Sequence, residues 1–490
     1  MRRHPTEDTP FADARPGPES RAVTVPVRAD EQDGHPGDGP HPAPPAEHLA
    51  AVDADVAAAV LRTARTVLGE RLGRSAAVDP VFACDVAERV AEFTLDGGKR
   101  LRPAFLWWGM RACGGRAVTA ALRLGVALEL IQTCALVHDD VMDGSALRRG
   151  RPAVHVGLAA LARTAGDPAR AEAFGRSAAV LVGDLALAWA DDTVADTPMA
   201  PEVRGRVGDV WQAMRTEMVA GQYLDLHGQI TRSRSPEQAL RAACLKSALY
   251  TVERPLALGA ALSGAERDTA RALCAAGRCA GIAFQLRDDL TGVFGDPAGS
   301  GKPSGGDIRE GKATYLLAVA RARAGEAGDL EAVRLLDAVV GDPGLAEDEL
   351  ARVREVLTAT GARAAVEDEA RRLAEQAVRH LDGAAVEPDA GRALAALFEN
   401  VATGHREKRP APPGPVPGAG PTGTGAAAAG TTGTSSAAAG PTGPVSKAAG
   451  PTGTAAAAAG PPPTAPAATR PSSGRRGDPA VPAEGGERRC

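Results

Sequence analysis

Aromatic side chains are scarce: Trp, Tyr and Phe make up only 3 % of the 490 residues. Such a chain has little material for a cation-stabilising pocket walled by aromatic faces. Cysteine is thin and scattered. Its seven residues form no CxxC pair and no Cys/His cluster of zinc spacing. That argues against a zinc module and reads as reduced core thiols in a cytoplasmic protein. Cys490 is the last residue, whereas a lipidation box needs its Cys four from the end. Excess positive charge is also missing. A formal net charge of −5 gives no electrostatic case for nucleic acid as a partner. Charges interrupt the apolar stretches before ~18 residues, so no integral membrane segment is predicted. After Arg2 and Arg3 come Pro, Glu and Asp instead of an apolar run, which argues against a secretory signal.

What is abundant is Ala, Gly, Pro, Arg and Leu, unevenly spread. Residues 1–46 are rich in Pro, Asp, Glu, Arg and Gly without apolar periodicity, and read as a disordered arm. Residues 405–490 form an Ala/Gly/Pro/Thr-rich tail with a loose repeat, as at Ala448-Ala449-Gly450-Pro451-Thr452-Gly453-Thr454. Regular Gly and Pro stop helix from spreading through its Ala runs. Both ends read as solvated linker. Between them, 47–404 reads as helical throughout. Apolar residues recur at three and four, as at Ala121, Leu124, Leu128 and Ile131. β-branched alternation is sparse. The expectation is an all-α, single-domain helical bundle.

Two acidic clusters stand out. Leu136-Val137-His138-Asp139-Asp140-Val141-Met142-Asp143 closes an apolar helical run that begins near Leu122. Asp139 and Asp143 are four apart, so they share a helix face, with Asp140 beside them. Three like charges there repel, and a hard divalent cation offsets the repulsion. Magnesium takes few carboxylates and keeps room for water and phosphate, so the pattern suits a metal bridge to a diphosphate. Arg148, Arg149 and Arg151 follow at once, and guanidinium forks take phosphate oxygens.

The second cluster repeats the logic. Phe284-Gln285-Leu286-Arg287-Asp288-Asp289 ends another apolar helix, from about Ala272. A Gly/Pro-rich loop from Phe294 to Gly311 follows, and Asp296, Lys302, Asp307 and Lys312 lie in it or just after it. Long loops in compact domains often act as functional lids. A separate basic signal lies at Gly97-Gly98-Lys99-Arg100-Leu101-Arg102-Pro103, whose glycines allow close backbone approach and whose cations suit a second phosphate group.

In this order the segments resemble the trans-isoprenyl diphosphate synthase family over about 85–315. Residues 97–103 look like its homoallylic-diphosphate motif. Asp139, Asp140 and Asp143 with the trailing arginines look like its first aspartate-rich motif. Gln285, Asp288 and Asp289, continued by Gly301-Lys302-Pro303 and Gly306-Asp307, look like its second. Gly221-Gln222…Asp225 and Lys246-Ser247 look like its Gly-Gln…Asp element and Lys-Thr pair.

The resemblance implies a mechanism. Magnesium held by Asp139, Asp140, Asp143, Asp288 and Asp289 would bind an allylic diphosphate. Arg148, Lys246 and Lys302 would add positive charge, and Ser247 and Gln285 would line the site. Ionisation would give an allylic carbocation. Isopentenyl diphosphate, held by Lys99, Arg102, Gln132 and Arg149, would supply its alkene. A homodimer is implied as well. The chain departs from the pattern at Gln132, where the family often has His, at Ser247, where it has Thr, and at Gly292, where the fullest pattern has a third Asp. Asp296 is a candidate replacement. Cys134 and Ala135, one turn before Asp139, are small, which in this family points past farnesyl to a geranylgeranyl product.

Two rivals remain. A class I terpene cyclase shares the fold and the ionisation, but needs no second diphosphate site such as 97–103. A non-catalytic regulatory subunit of a prenyl synthase would tolerate degraded acidic clusters, and here all five aspartates are present.

Overall fold

The computed structural model describes residues 46–162, 166–231, 235–295 and 304–403. The expected arm and tail lie almost wholly outside these residues. The described chain is a helical bundle. Its first part comprises α1 (Ala46–Ala54), α2 (Val56–Val78), α3 (Pro80–Phe82), a π-helical turn (Ala83–Ala87), α4 (Glu88–Leu95), α5 (Leu101–Ala112) and α6 (Val118–Met142). A two-stranded ribbon, β1 (Leu147–Arg148) and β2 (Arg151–Pro152), follows. Then come α7 (Val154–Ala162), α8 (Pro168–Ala195), α9 (Pro201–Thr231) and α10 (Pro236–Ala243). A ten-residue π-helix (Cys244–Glu253) runs into α11 (Arg254–Ser263) and α12 (Arg267–Phe294). The remainder is α13 (Gly306–Arg309), α14 (Tyr315–Glu326), α15 (Leu330–Val339), α16 (Glu347–Ala359), α17 (Ala362–Asp382) and α18 (Pro388–Thr403). The all-α expectation holds.

Local chemistry sets the helix ends. Asp55 accepts from Ala58 N at 2.8 Å and caps α2, and Asp79 caps α3 with Pro80 behind it. Gly264, at φ +66°, closes α11 in the left-handed conformation that glycine adopts without strain. α6 is the central rod. Leu124, Leu128, Leu130 and Ile131 are fully buried on it, and it packs against α2, α5 and α8. α12 is its counterpart, packed on α17, α18 and the π-helix. α6 ends in aspartates, whereas α12 runs on past Asp288 and Asp289 to Phe294, so the expectation that the second cluster ends its helix is corrected.

The expectation that charge breaks every apolar run was too strict. α6 and α8 are each long and apolar enough to cross a membrane by length and composition. In α6 one charge inside the run, Glu129, is buried and paired with Arg100. The apolar window of α6 is 78 % buried inside the bundle, and that of α8 is 44 % buried.

Candidate active site

The end of α6 carries the first cluster. Asp140 has no exposure and Asp139 is buried. Arg148 reaches back from β1, its Nε at 2.8 Å from Asp140 and its Nη2 at 3.4 Å from Asp139. The ribbon explains how neighbouring arginines part company. Its two-residue loop, Arg149 and Gly150, has positive φ at both positions, as a type I′ turn requires. Arg148 thus serves the aspartates. Arg149 instead donates to the carbonyls of Asp96 and Phe93, stacks 5.0 Å from the Phe93 ring, and lies against Gly97 and Gly98. The structure therefore brings Arg149 to the 97–103 segment.

Lys246 comes from the π-helix. Its Nζ lies 3.0 Å from Asp139 and 2.7 Å from Asp225 of α9, and Gln222 of α9 donates to Asp139 at 3.4 Å. The π-helix is held by glycines. A Cβ on Gly221 of α9 would fall 2.6 Å from Lys246 Cα and 2.7 Å from the Leu245 carbonyl carbon. On its other flank, a Cβ on Gly281 of α12 would meet Ala248 at 2.9 Å, and one on Gly277 would meet Glu253 Cα at 2.8 Å. Only hydrogen at these positions lets three helices approach so closely. Ser247 is half-buried next to Lys246.

Lys312 closes the cluster from the opposite side. Its Nζ lies 2.7 Å from Asp143, 2.7 Å from Glu310 and 3.7 Å from Asp307. Ser145, in the turn after the first cluster, donates to Glu310 at 2.9 Å. Sequence reasoning placed Gly306-Asp307 in the continuation of the second motif, noted Lys312 only as a residue in or just after the loop, and passed over Glu310 and Ser145. The signal was the Gly-Asp…Gly-Lys order in a glycine-rich loop. Lys302 and Asp296 lie outside the described residues.

Electrostatics follow this wiring. Burial alone would raise the Asp139 carboxyl, but Lys246, Lys312 and Arg148 together hold it below the ordinary carboxylate value. Burial also works against the Lys312 ammonium, yet Asp307, Asp139, Asp143 and Glu310 hold its proton well above the usual lysine range. In the second cluster, burial pushes Asp289 up to about 8, and Asp307 and Asp288 add to it against a hydrogen bond from Gln285 at 2.9 Å. Gln285 is thus committed to Asp289. Asp288, one residue earlier, is exposed.

The basic segment divides. Arg100 is buried against Glu129 and holds structure. Lys99 is exposed. Arg102 donates to Thr251 at 2.9 Å and lies 4.2 Å over the Tyr250 ring. Its Nε, and the Oε1 of Gln132, are buried without a hydrogen-bond partner. Such orphans are expected where a polar ligand completes the network.

Among the described residues no three Asp, Glu, His or Cys side chains converge as a ready metal cage. Asp140 Oδ2 and Asp143 Oδ1 are nonetheless buried oxygens without a hydrogen-bond donor. These are hard ligands of the kind magnesium takes. Lysine and arginine gathered on carboxylates at the end of α6 suit an all-α enzyme that works on a phosphorylated substrate.

The family model for polyprenyl synthetase matches residues 85–349. A geranylfarnesyl diphosphate synthase of Aeropyrum pernix is 33 % identical over 270 residues, covering 54 % of this chain and 77 % of that one. A farnesyl diphosphate synthase of Mycobacterium bovis is 33 % identical over 266 residues, covering 54 % and 68 %. A geranylgeranyl pyrophosphate synthase of Corynebacterium glutamicum, solved with isoprenyl diphosphate and magnesium, matches with TM-score 0.66 and 39 % identity. That match covers 70 % of this chain and 98 % of that one. The chain belongs to the polyprenyl synthetase family. It is a trans-prenyltransferase, which sets aside the cyclase and regulatory readings.

Proposed function

We propose that this enzyme joins isopentenyl diphosphate to an allylic diphosphate with magnesium, and that its main product is geranylgeranyl diphosphate. The observation that carries the reading is the convergence of Arg148, Lys246 and Lys312 on the carboxylates at the end of α6. Asp139, Asp140 and Asp143, with Asp288 and Asp289 opposite, would hold magnesium, which when bound lowers the cost of charge on the departing diphosphate. Arg148, Lys246 and Lys312 take the oxygens of that diphosphate as its C–O bond breaks. We assign Lys302 the same task. Lys99, Arg102, Gln132 and Arg149 hold isopentenyl diphosphate, with the orphaned Nε of Arg102 as a direct donor to its oxygens. The isopentenyl alkene bonds to the allylic carbon, and loss of one proton restores a double bond.

The product length is supported by Cys134 and Ala135. Both are small and lie one turn before Asp139, and Cys134 is 4 % exposed. A cytoplasmic location is supported by six free cysteines among the described residues. We also propose a homodimer, supported by the exposed apolar residues Phe174, Val180 and Leu181 on α8. The test is purified protein with magnesium, isopentenyl diphosphate and dimethylallyl, geranyl or farnesyl diphosphate, with products read by mass spectrometry. A C20 product is expected, and Cys134→Phe should shorten it. No elongation from any primer would refute the function, and an unchanged product from Cys134→Phe would refute the length assignment.

A further inference from the structure

Asp140 has only 1 % of its side chain exposed, and Arg148 serves just one of its oxygens: Nε, at 2.8 Å, and Nη2 both donate to Oδ1. Oδ2 is buried and accepts no hydrogen bond. His155 Nδ1, on the first turn of α7, is also buried without a hydrogen-bond partner. Buried polar atoms left unpaired are rare and call for a role.

Charge brings these two side chains together from either end. Burial holds the His155 imidazole below its ordinary value; Asp140 opposes this and Arg176 of α8 adds to it. Burial raises the Asp140 carboxyl and Asp139 adds to that, while Arg148 and then His155 oppose. His155 is therefore a neutral ring at neutral pH, and one nitrogen carries its proton.

The backbone keeps the ring in place. Ser145 N donates to Asp140 O at 3.0 Å and Ala153 N to Ala146 O at 2.9 Å, so the ribbon is tied at its base to the end of α6. α7 then lies on α8 at Gly175, where a Cβ would fall 2.3 Å from His155 O and 2.8 Å from Ala159 N. Both of those atoms are backbone, so no side chain can turn aside, and only hydrogen permits the approach.

We infer that His155 is a positioning residue for Asp140: its Nδ1–H takes the carboxylate when Arg148 turns to the diphosphate. The inference rests on the magnesium and diphosphate reading above. Without such a donor, the departure of Arg148 would leave a buried carboxylate free to rotate. A neutral ring suits the task, because it orients the carboxylate without competing with a metal for its charge. A carboxylate has about four lone pairs, so one N–H leaves room for a metal.

The test reads metal-dependent binding rather than turnover. Full-length protein is titrated with magnesium in the presence of a non-ionising allylic thiolodiphosphate, and binding is followed by calorimetry. His155→Leu should raise the magnesium concentration for half-saturation about ten-fold or more, with no fall in metal-free melting temperature. His155→Asn puts an amide nitrogen where Nδ1 was and should stay near wild type. His155→Gln reaches the Nε2 position instead and should lose as much as His155→Leu. Wild-type magnesium dependence in His155→Leu would overturn the inference. Equal losses in the Asn and Gln variants would overturn it too, because that pattern marks packing and not a donor at Nδ1. If His155→Leu melts early, the contrast between the two amides still decides. If the wild-type protein itself binds no analogue at any magnesium concentration, the functional reading falls first.

Discussion

Gly221→Ala is the sharpest probe of how the site is built. The added methyl would sit 2.6 Å from Lys246 Cα, about 1 Å inside ordinary carbon contact. The neighbour is backbone in the middle of a π-helix, so no side chain can swing aside. The π-helix is backed by Gly281 and Gly277 of α12, where a Cβ would meet backbone within 3.0 Å, so it has no free direction of retreat. Overpacking of this kind costs about 1–3 kcal/mol, against which Ala returns roughly 1 kcal/mol of helix propensity. A modest fall in melting temperature is expected. The functional loss should be larger. Lys246 bridges Asp139 at 3.0 Å and Asp225 at 2.7 Å, and displacing a positioned group by about 1 Å can cost roughly a hundred-fold in rate. The control is Gly228→Ala on the same helix, which has nothing within 4 Å of its added Cβ and should melt no lower than wild type. Steady-state kcat and thermal melting of both variants decide the matter. Wild-type kcat and melting in Gly221→Ala would refute the argument that this glycine sets the helix approach.

Other outcomes follow from single groups. Asp289 is held neutral by burial up to about pH 8, far above its unfolded value, so folding takes up a proton between those limits. Metal-free stability should fall as pH rises through that window. Asp289→Asn should remove the slope, measured by denaturant unfolding at pH 5 and pH 8 in chelator, and parallel curves would contradict it. Arg102→Met should raise KM for isopentenyl diphosphate and lower kcat/KM about ten- to a hundred-fold, the worth of one charge-assisted hydrogen bond. KM for the allylic substrate should stay put, and an equal rise in both would place Arg102 elsewhere.

The two acidic clusters and the all-α bundle were legible in the sequence because periodicity reports helices, and carboxylates set into an apolar run report an unusual charge cost; that α12 runs on to Phe294 was not. Distances between helices leave no such trace. Gly221 and Gly228 look alike in sequence, yet one carries a helix crossing and the other faces open space. Arg100 and Arg102 look equivalent, yet the first is buried against Glu129 and the second keeps an orphaned Nε. Lys312 lies 169 residues after Asp143, and only the fold puts them 2.7 Å apart. Glu129 lies within an apolar run, and its partner, Arg100, is 29 residues away in sequence.

The cations already seated on the first cluster set the terms on which anything else can enter. Asp139 is answered by Lys246 and Arg148, Asp140 by Arg148 and Asp143 by Lys312. A free divalent ion finds only the unpartnered Asp140 Oδ2 and Asp143 Oδ1, and must displace one of these cations to gain more. A diphosphate draws the same ammonium and guanidinium groups toward its own oxygens and uncovers the carboxylates. Ion and anion therefore exchange counter-ions through the protein, and each makes room for the other. Magnesium alone and diphosphate alone each meet a site whose cations and carboxylates are already engaged with one another; together they meet one that opens.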